Sequence, residues 1–123
     1  MSKQVFEGTN YKIGEADAVT KTITVHNTWS DDYENPGADG SDMVVYYTIV
    51  PTGPTSVVTI EAARPSEDTY HPVGNTAGTV NGTMLLPRLG KFTLGGGWRA
   101  RMGVKTGDLG AGATVVVAMG TRA

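Results

Sequence analysis

The 123-residue chain carries twelve acidic and ten basic side chains, 17 glycines and no cysteine. Its length fits one domain, and the lack of thiols excludes a disulfide scaffold, a thiolate metal site and a cysteine nucleophile. A net charge of −2 argues against nucleic acid as a partner. No apolar run approaches the ~18 residues of a membrane-spanning helix, and residues 1–19 hold no apolar leader core, so no membrane partner is expected and folding in a cytoplasm is.

In chain order, residues 3–13 read as a first strand or an N-terminal arm. VTKTITVHN (19–27) alternates Val19, Lys21, Ile23 and Val25 with Thr20, Thr22, Thr24 and His26, the period of a half-buried strand. DMVVYYTIV (42–50) is apolar on both faces, and Pro51, Gly53 and Pro54 then impose a turn. TSVVTIEAAR (55–64) follows at once, so the two runs are expected to pair as a hairpin. TYHPVGN (69–75) suits a short strand. Residues 78–94 suit two short pieces, with Pro87 at a break or an edge.

GGGWRARMGVK (95–105) alternates most cleanly. Trp98, Ala100, Met102 and Val104 share one face, and Arg99, Arg101, Gly103 and Lys105 share the other. TGDLGAGA (106–113) is a glycine-rich turn, and TVVVAMG (114–120) closes as a strand apolar on both faces. The spacing predicts an all-β jelly-roll-like sandwich of about seven to nine short antiparallel strands, one domain over residues 1–123.

TWSDDYENPGADGSDM (28–43) is the segment most like a site. It holds Asp31, Asp32, Glu34, Asp39 and Asp42 beside Trp29 and Tyr33. It reads as a long connection between strands, as a partner-contact loop, or as a metal loop. The oxygens would suit calcium, but the EF-hand spacing is absent, and neither a metal nor a cofactor is assigned. Trp29, Asp31, Asp32, Tyr33 and Glu34 are taken as partner-contact candidates. His26 and His71 are joined by no signature to a nucleophile, and the glycine-rich stretches fit neither dinucleotide nor phosphate loops. No enzymatic activity is expected.

Two features point to self-association. Residues 43–50 and 114–119 are apolar on both faces, whereas a two-layer sandwich leaves each strand one wet face, so a second cover is needed. Residues 1–63 also hold nine acidic against three basic residues, and 64–123 three against seven, a split that can make complementary surfaces. Val116 and the basic strip Arg99, Arg101 and Lys105 join the contact candidates. For the strip, acidic neighbours from the same chain are the competing explanation.

Residues 56–75, 94–104 and 110–120 run as strand, polar turn and short strand, then a glycine-led Trp/Arg strand, then a small-residue turn and a valine-rich strand. This order resembles small β-sandwich proteins of tailed-phage virions, especially capsid decoration (cement) proteins. The resemblance implies a non-enzymatic virion structural protein. Such a protein is typically a trimer on the capsid lattice, so the expected partners are further copies of the chain and the major capsid protein, and the expected location is the virion. The same grammar occurs in jelly-roll carbohydrate-binding modules, which leaves a carbohydrate-binding or host-adsorption module as the alternative.

Overall fold

The computed structural model describes residues 18–53, 56–73, 79–80 and 88–121; the predicted arm or strand at 3–13, Pro54, Gly74, Asn75 and Pro87 lie outside them. The described residues form ten strands and no helix: β1 (Val19–Ile23), β2 (Thr28–Trp29), β3 (Tyr33–Glu34), β4 (Met43–Thr52), β5 (Val58–Ala63), β6 (His71–Pro72), β7 (Thr79–Val80), β8 (Arg88–Leu94), β9 (Arg99–Val104) and β10 (Thr114–Gly120). All pairings are antiparallel. Sheet 1 has the order β1-β10-β4-β8. Sheet 2 has β2-β9-β5-β6, with β3 also on β9 and β7 also on β5.

The period of two decides which side chains meet between the sheets. Sheet 1 contributes Ile23, Val45, Ile49, Leu94, Val115, Val117 and Met119; sheet 2 contributes Tyr33, Val58, Ile60, Ala62, Ala100, Met102 and Val104, all in one buried cluster. Trp98, Tyr47 and Phe92 pack against it. Tyr47 needs the missing side chain of Gly90 opposite it, because a Cβ there would stand 2.8 Å from its Cε2. The two strands that read as apolar on both faces, β4 and β10, are neighbours at the centre of sheet 1.

Two expectations need correction. The runs 42–50 and 55–64 are not a hairpin: β4 pairs with β10 and β8, while β5 pairs with β9, β6 and β7 in the other sheet. Gly53, at φ 94, begins a crossing between layers. Each of the two strands takes a central position in its own sheet, paired on both backbone edges and not with the other.

The stretch 28–43 is also not one loop. Its first half is an interrupted edge strand on β9, made of β2 and β3. Ser30 carries the pairing across the break: its N–H donates to Met102 O at 2.8 Å, and its Oγ accepts from Met102 N–H at 3.1 Å. Beyond it, the Asn35 side chain ties residues 35–41 into a compact turn by donating to Ser41 O (2.7 Å) and Leu94 O (2.9 Å) and accepting from Gly37 N–H (2.9 Å).

Candidate functional site

The outward faces of the two sheets have opposite chemistry. On sheet 2 the register places Arg101 beside Glu61 and lays Trp29 over Gly103, where a Cβ would come within 2.5 Å of the indole. Arg101 donates to Glu61 Oε1 at 2.9 Å, and Lys105 Nζ lies 3.6 Å from Glu61 Oε2. The Arg101 guanidinium carbon is 4.1 Å from the Trp29 ring centroid and 3.9 Å from that of Tyr70, so one cation serves two aromatic rings. Glu61 is only 7% exposed, a buried carboxylate held by this pairing.

Residues 64–72 strap this face. The Tyr70 hydroxyl donates to the Asp32 carboxylate at 2.8 Å and accepts from Arg99 Nε at 3.2 Å. Arg99 Nε also lies 3.5 Å from Asp32, and its Nη2 donates to Glu67 O. Burial, and then the Asp32 hydrogen bond, push the Tyr70 phenol above its ordinary range. Glu67 is held below the usual carboxylate range chiefly by its hydrogen bond from Arg64, at 2.9 Å, and it also contacts His71 Nε2 at 3.3 Å.

The basic strip is therefore met by acidic residues of its own chain: Arg99 by Asp32, and Arg101 and Lys105 by Glu61. Of the acidic-segment candidates, Trp29 and Asp32 belong to this network, whereas Asp31 and Glu34 are exposed. Tyr33 is corrected. At 7% exposure it faces the core opposite Ala100, so its ring offers no surface to a partner. Among the described residues no group of three acidic or His side chains is placed to hold a metal ion.

Glu61, Glu67 and Tyr70 were not singled out from the sequence. A signal existed for Glu61, the one acid within an otherwise apolar strand, which calls for a cation across the sheet. Tyr70 carried no such signal, because its role depends on where the 64–72 strap crosses.

Sheet 1 presents the contrasting surface. Its outward residues are Thr20 and Thr22 on β1, Thr114, Val116 and Ala118 on β10, Val44, Tyr46, Thr48, Val50 and Thr52 on β4, and Leu89, Lys91 and Thr93 on β8. Lys91 alone among them is charged. Val44 is 42% exposed, and Tyr46, Val50, Leu89 and Val116 are half-buried. Thr48 and Ala118, central on this face, are each 1% exposed, and the Thr48 hydroxyl has no hydrogen-bond partner among the described residues.

A cleft of about 260 Å³ opens at the margin where β6 of sheet 2 and β8 of sheet 1 are edge strands, lined by Ala62, Arg64, His71, Pro72, Val73, Thr93 and Trp98. No protein-family model matches the chain, and neither a curated protein nor a solved structure matches it.

Proposed function

We propose that the protein is a non-enzymatic virion structural protein, a capsid decoration protein that assembles as a homotrimer and reinforces the shell of a bacteriophage by docking on its major capsid protein. The observation that carries this reading is the contrast between the outward faces. On sheet 2 the charges of Arg99, Arg101 and Lys105 are met by acids of the same chain, whereas the outward residues of sheet 1 are rich in valine and threonine, with Lys91 the single charge among those described. Depletion of charge is the compositional mark of an interface core. Val44, Val50 and Val116 gain by being covered, and among the described residues of that face Lys91 alone is a charge that would have to be stripped of its hydration shell.

The strand order supports the finer jelly-roll assignment. With β2 and β3 counted as one broken strand, and β6 and β7 as another, eight strands run 1-8-3-6 in one sheet and 2-7-4-5 in the other. The pairs 1:8, 2:7, 3:6 and 4:5 are then all hydrogen-bonded, as in one long antiparallel ribbon wrapped into two layers. Folds of this kind serve viral capsid proteins and lectins alike, so the surface and not the fold carries the functional argument.

A decoration protein binds the assembled lattice and not its dispersed subunits, so it stabilises the shell by mass action. Quantitative mass spectrometry of purified virions tests the role. The expected result is a copy number comparable to that of the major capsid protein. Absence from the particle overturns the reading, and a handful of copies replaces it with a tail or fibre component.

A further inference from the structure

We propose that the cleft between β6 and β8 is a binding site for a single neutral sugar ring. Its apolar lining is made of Ala62, Pro72, Val73 and Trp98, of which Ala62 belongs to the core and Val73 and Trp98 pack against it. The Trp98 backbone N–H donates to Gly95 O at 3.0 Å to close a tight turn, Gly97 within that turn stands at φ 79, and a Cβ on Gly95 would lie 2.8 Å from the indole Nε1. The indole therefore packs closely against the Gly95 backbone beside the cleft. An aromatic surface suits the C–H face of a pyranose.

The rim supplies what the hydroxyl groups need. Arg64 and His71 have side chains 59% and 53% exposed, and both lean on Glu67, at 2.9 and 3.3 Å. Thr93 lies across from them. The planar donors of Arg64 and His71 and the Thr93 hydroxyl line the cleft, with the Glu67 carboxylate bonded to the first two from outside the lining, and such groups match the donor and acceptor character of vicinal hydroxyls. Glu67 also cancels the charge of Arg64, so the rim does not call for an anionic ligand. The turn that folds Glu67 back to Arg64 places Ser66 at φ 62, a left-handed conformation uncommon for a residue with a side chain. The volume is below the ~300 Å³ at which pockets for drug-sized ligands begin, which fits one ring with the rest of a glycan outside.

The site is at the sandwich margin, away from the centre of the outward face of sheet 1, so it stands or falls independently of the assembly role. The test is a proton–nitrogen NMR titration with glucose, galactose, mannose and N-acetylglucosamine, followed by N-acetylneuraminic acid as an anionic sugar and N-acetylproline amide as a peptide probe. The chain's two tryptophans make the readout self-controlled. At least one neutral sugar should shift the Trp98 indole N–H and the Ala62 and Val73 amides saturably, with a dissociation constant of about 1 mM for so small a ligand, and leave the Trp29 indole unmoved. Arg64→Ala, at an exposed position, should keep the spectrum of the folded protein and weaken that binding about tenfold. The proposal is overturned if no neutral sugar moves Trp98, if only N-acetylneuraminic acid or the proline amide saturates it, or if Arg64→Ala binds as tightly as the wild type.

Discussion

Replacing Arg101 by alanine tests whether the outward face of sheet 2 is a working part of the fold. The guanidinium is the main counter-ion of Glu61, whose side chain is 9% exposed, and its own side chain is 28% exposed. A charge-assisted hydrogen bond contributes about 1.5–3 kcal/mol. Contact with each of two aromatic rings adds ~0.5–1 kcal/mol at a partly exposed site. Lys105 stays 3.6 Å from Glu61 and keeps the carboxylate from being wholly unpaired, though that lysine side chain is 50% exposed. The expected loss is therefore about 2–4 kcal/mol, short of the ~3–5 that follows when a fully buried pair is broken. For a chain of this length that is a fall in melting temperature of roughly 8–16 °C, at ~4 °C per kcal/mol. Urea unfolding followed by tryptophan fluorescence measures it. Arg101→Lys should recover less than half of the loss, because it keeps the charge but not the planar fork or the stacking. Glu61→Gln combined with Arg101→Met should cost less than the sum of the single changes, since neither partner is then left as an unpaired charge. An Arg101→Ala protein that unfolds within ~0.5 kcal/mol of the wild type, the size of an ordinary surface substitution, would refute the account of this face.

Gly96→Ala should be severely destabilising, measured by the same unfolding experiment, because a Cβ there would stand 2.6 Å from the carbonyl carbon of Ala38 and closer still to its oxygen, so the 35–41 turn has to move. At alkaline pH the Tyr70 phenol keeps its proton longer in the folded chain than in the unfolded one. Its contribution is complete below the ordinary value of about 10 and is lost as pH rises through the raised folded value. Stability profiles of the wild type and Tyr70→Phe between pH 8 and 11 should therefore converge above about 10; parallel profiles would contradict the hydrogen bond from Tyr70 to Asp32.

Much of the fold was legible because the period of two is written plainly in β1, β4, β9 and β10. The alternation of Trp98, Ala100, Met102 and Val104 with Arg99 and Arg101 predicted the buried and outward faces of β9 directly. Strand pairing was less legible. Adjacency along the chain suggested a β4–β5 hairpin, but both strands are apolar enough to occupy central positions, and the choice of neighbours depends on contacts distant in sequence. The segment 28–43 misled for a local reason. Its strands are two residues each, too short to show alternation, and Ser30 and Asn35 complete the backbone pairing with side-chain bonds that no periodicity reveals. In the sheet 2 network, the basic strip was visible, but its acidic partners were not. Glu61 reaches it from β5, Asp32 from the break between β2 and β3 and Tyr70 from a connection, so only the tertiary structure discloses them.

The central claim, that the outward face of sheet 1 is an assembly surface, is tested most directly by the solution mass of the protein from light scattering at micromolar concentration, with Val116→Asp beside the wild type. The account predicts a mass three times the 12.9 kDa of the chain for the wild type. The variant, whose carboxylate would lie among Val50, Thr22 and Thr114 where a covered face has no counter-ion for it, should be a folded monomer. A wild-type mass of 12.9 kDa, or a Val116→Asp protein that remains fully assembled, would contradict it.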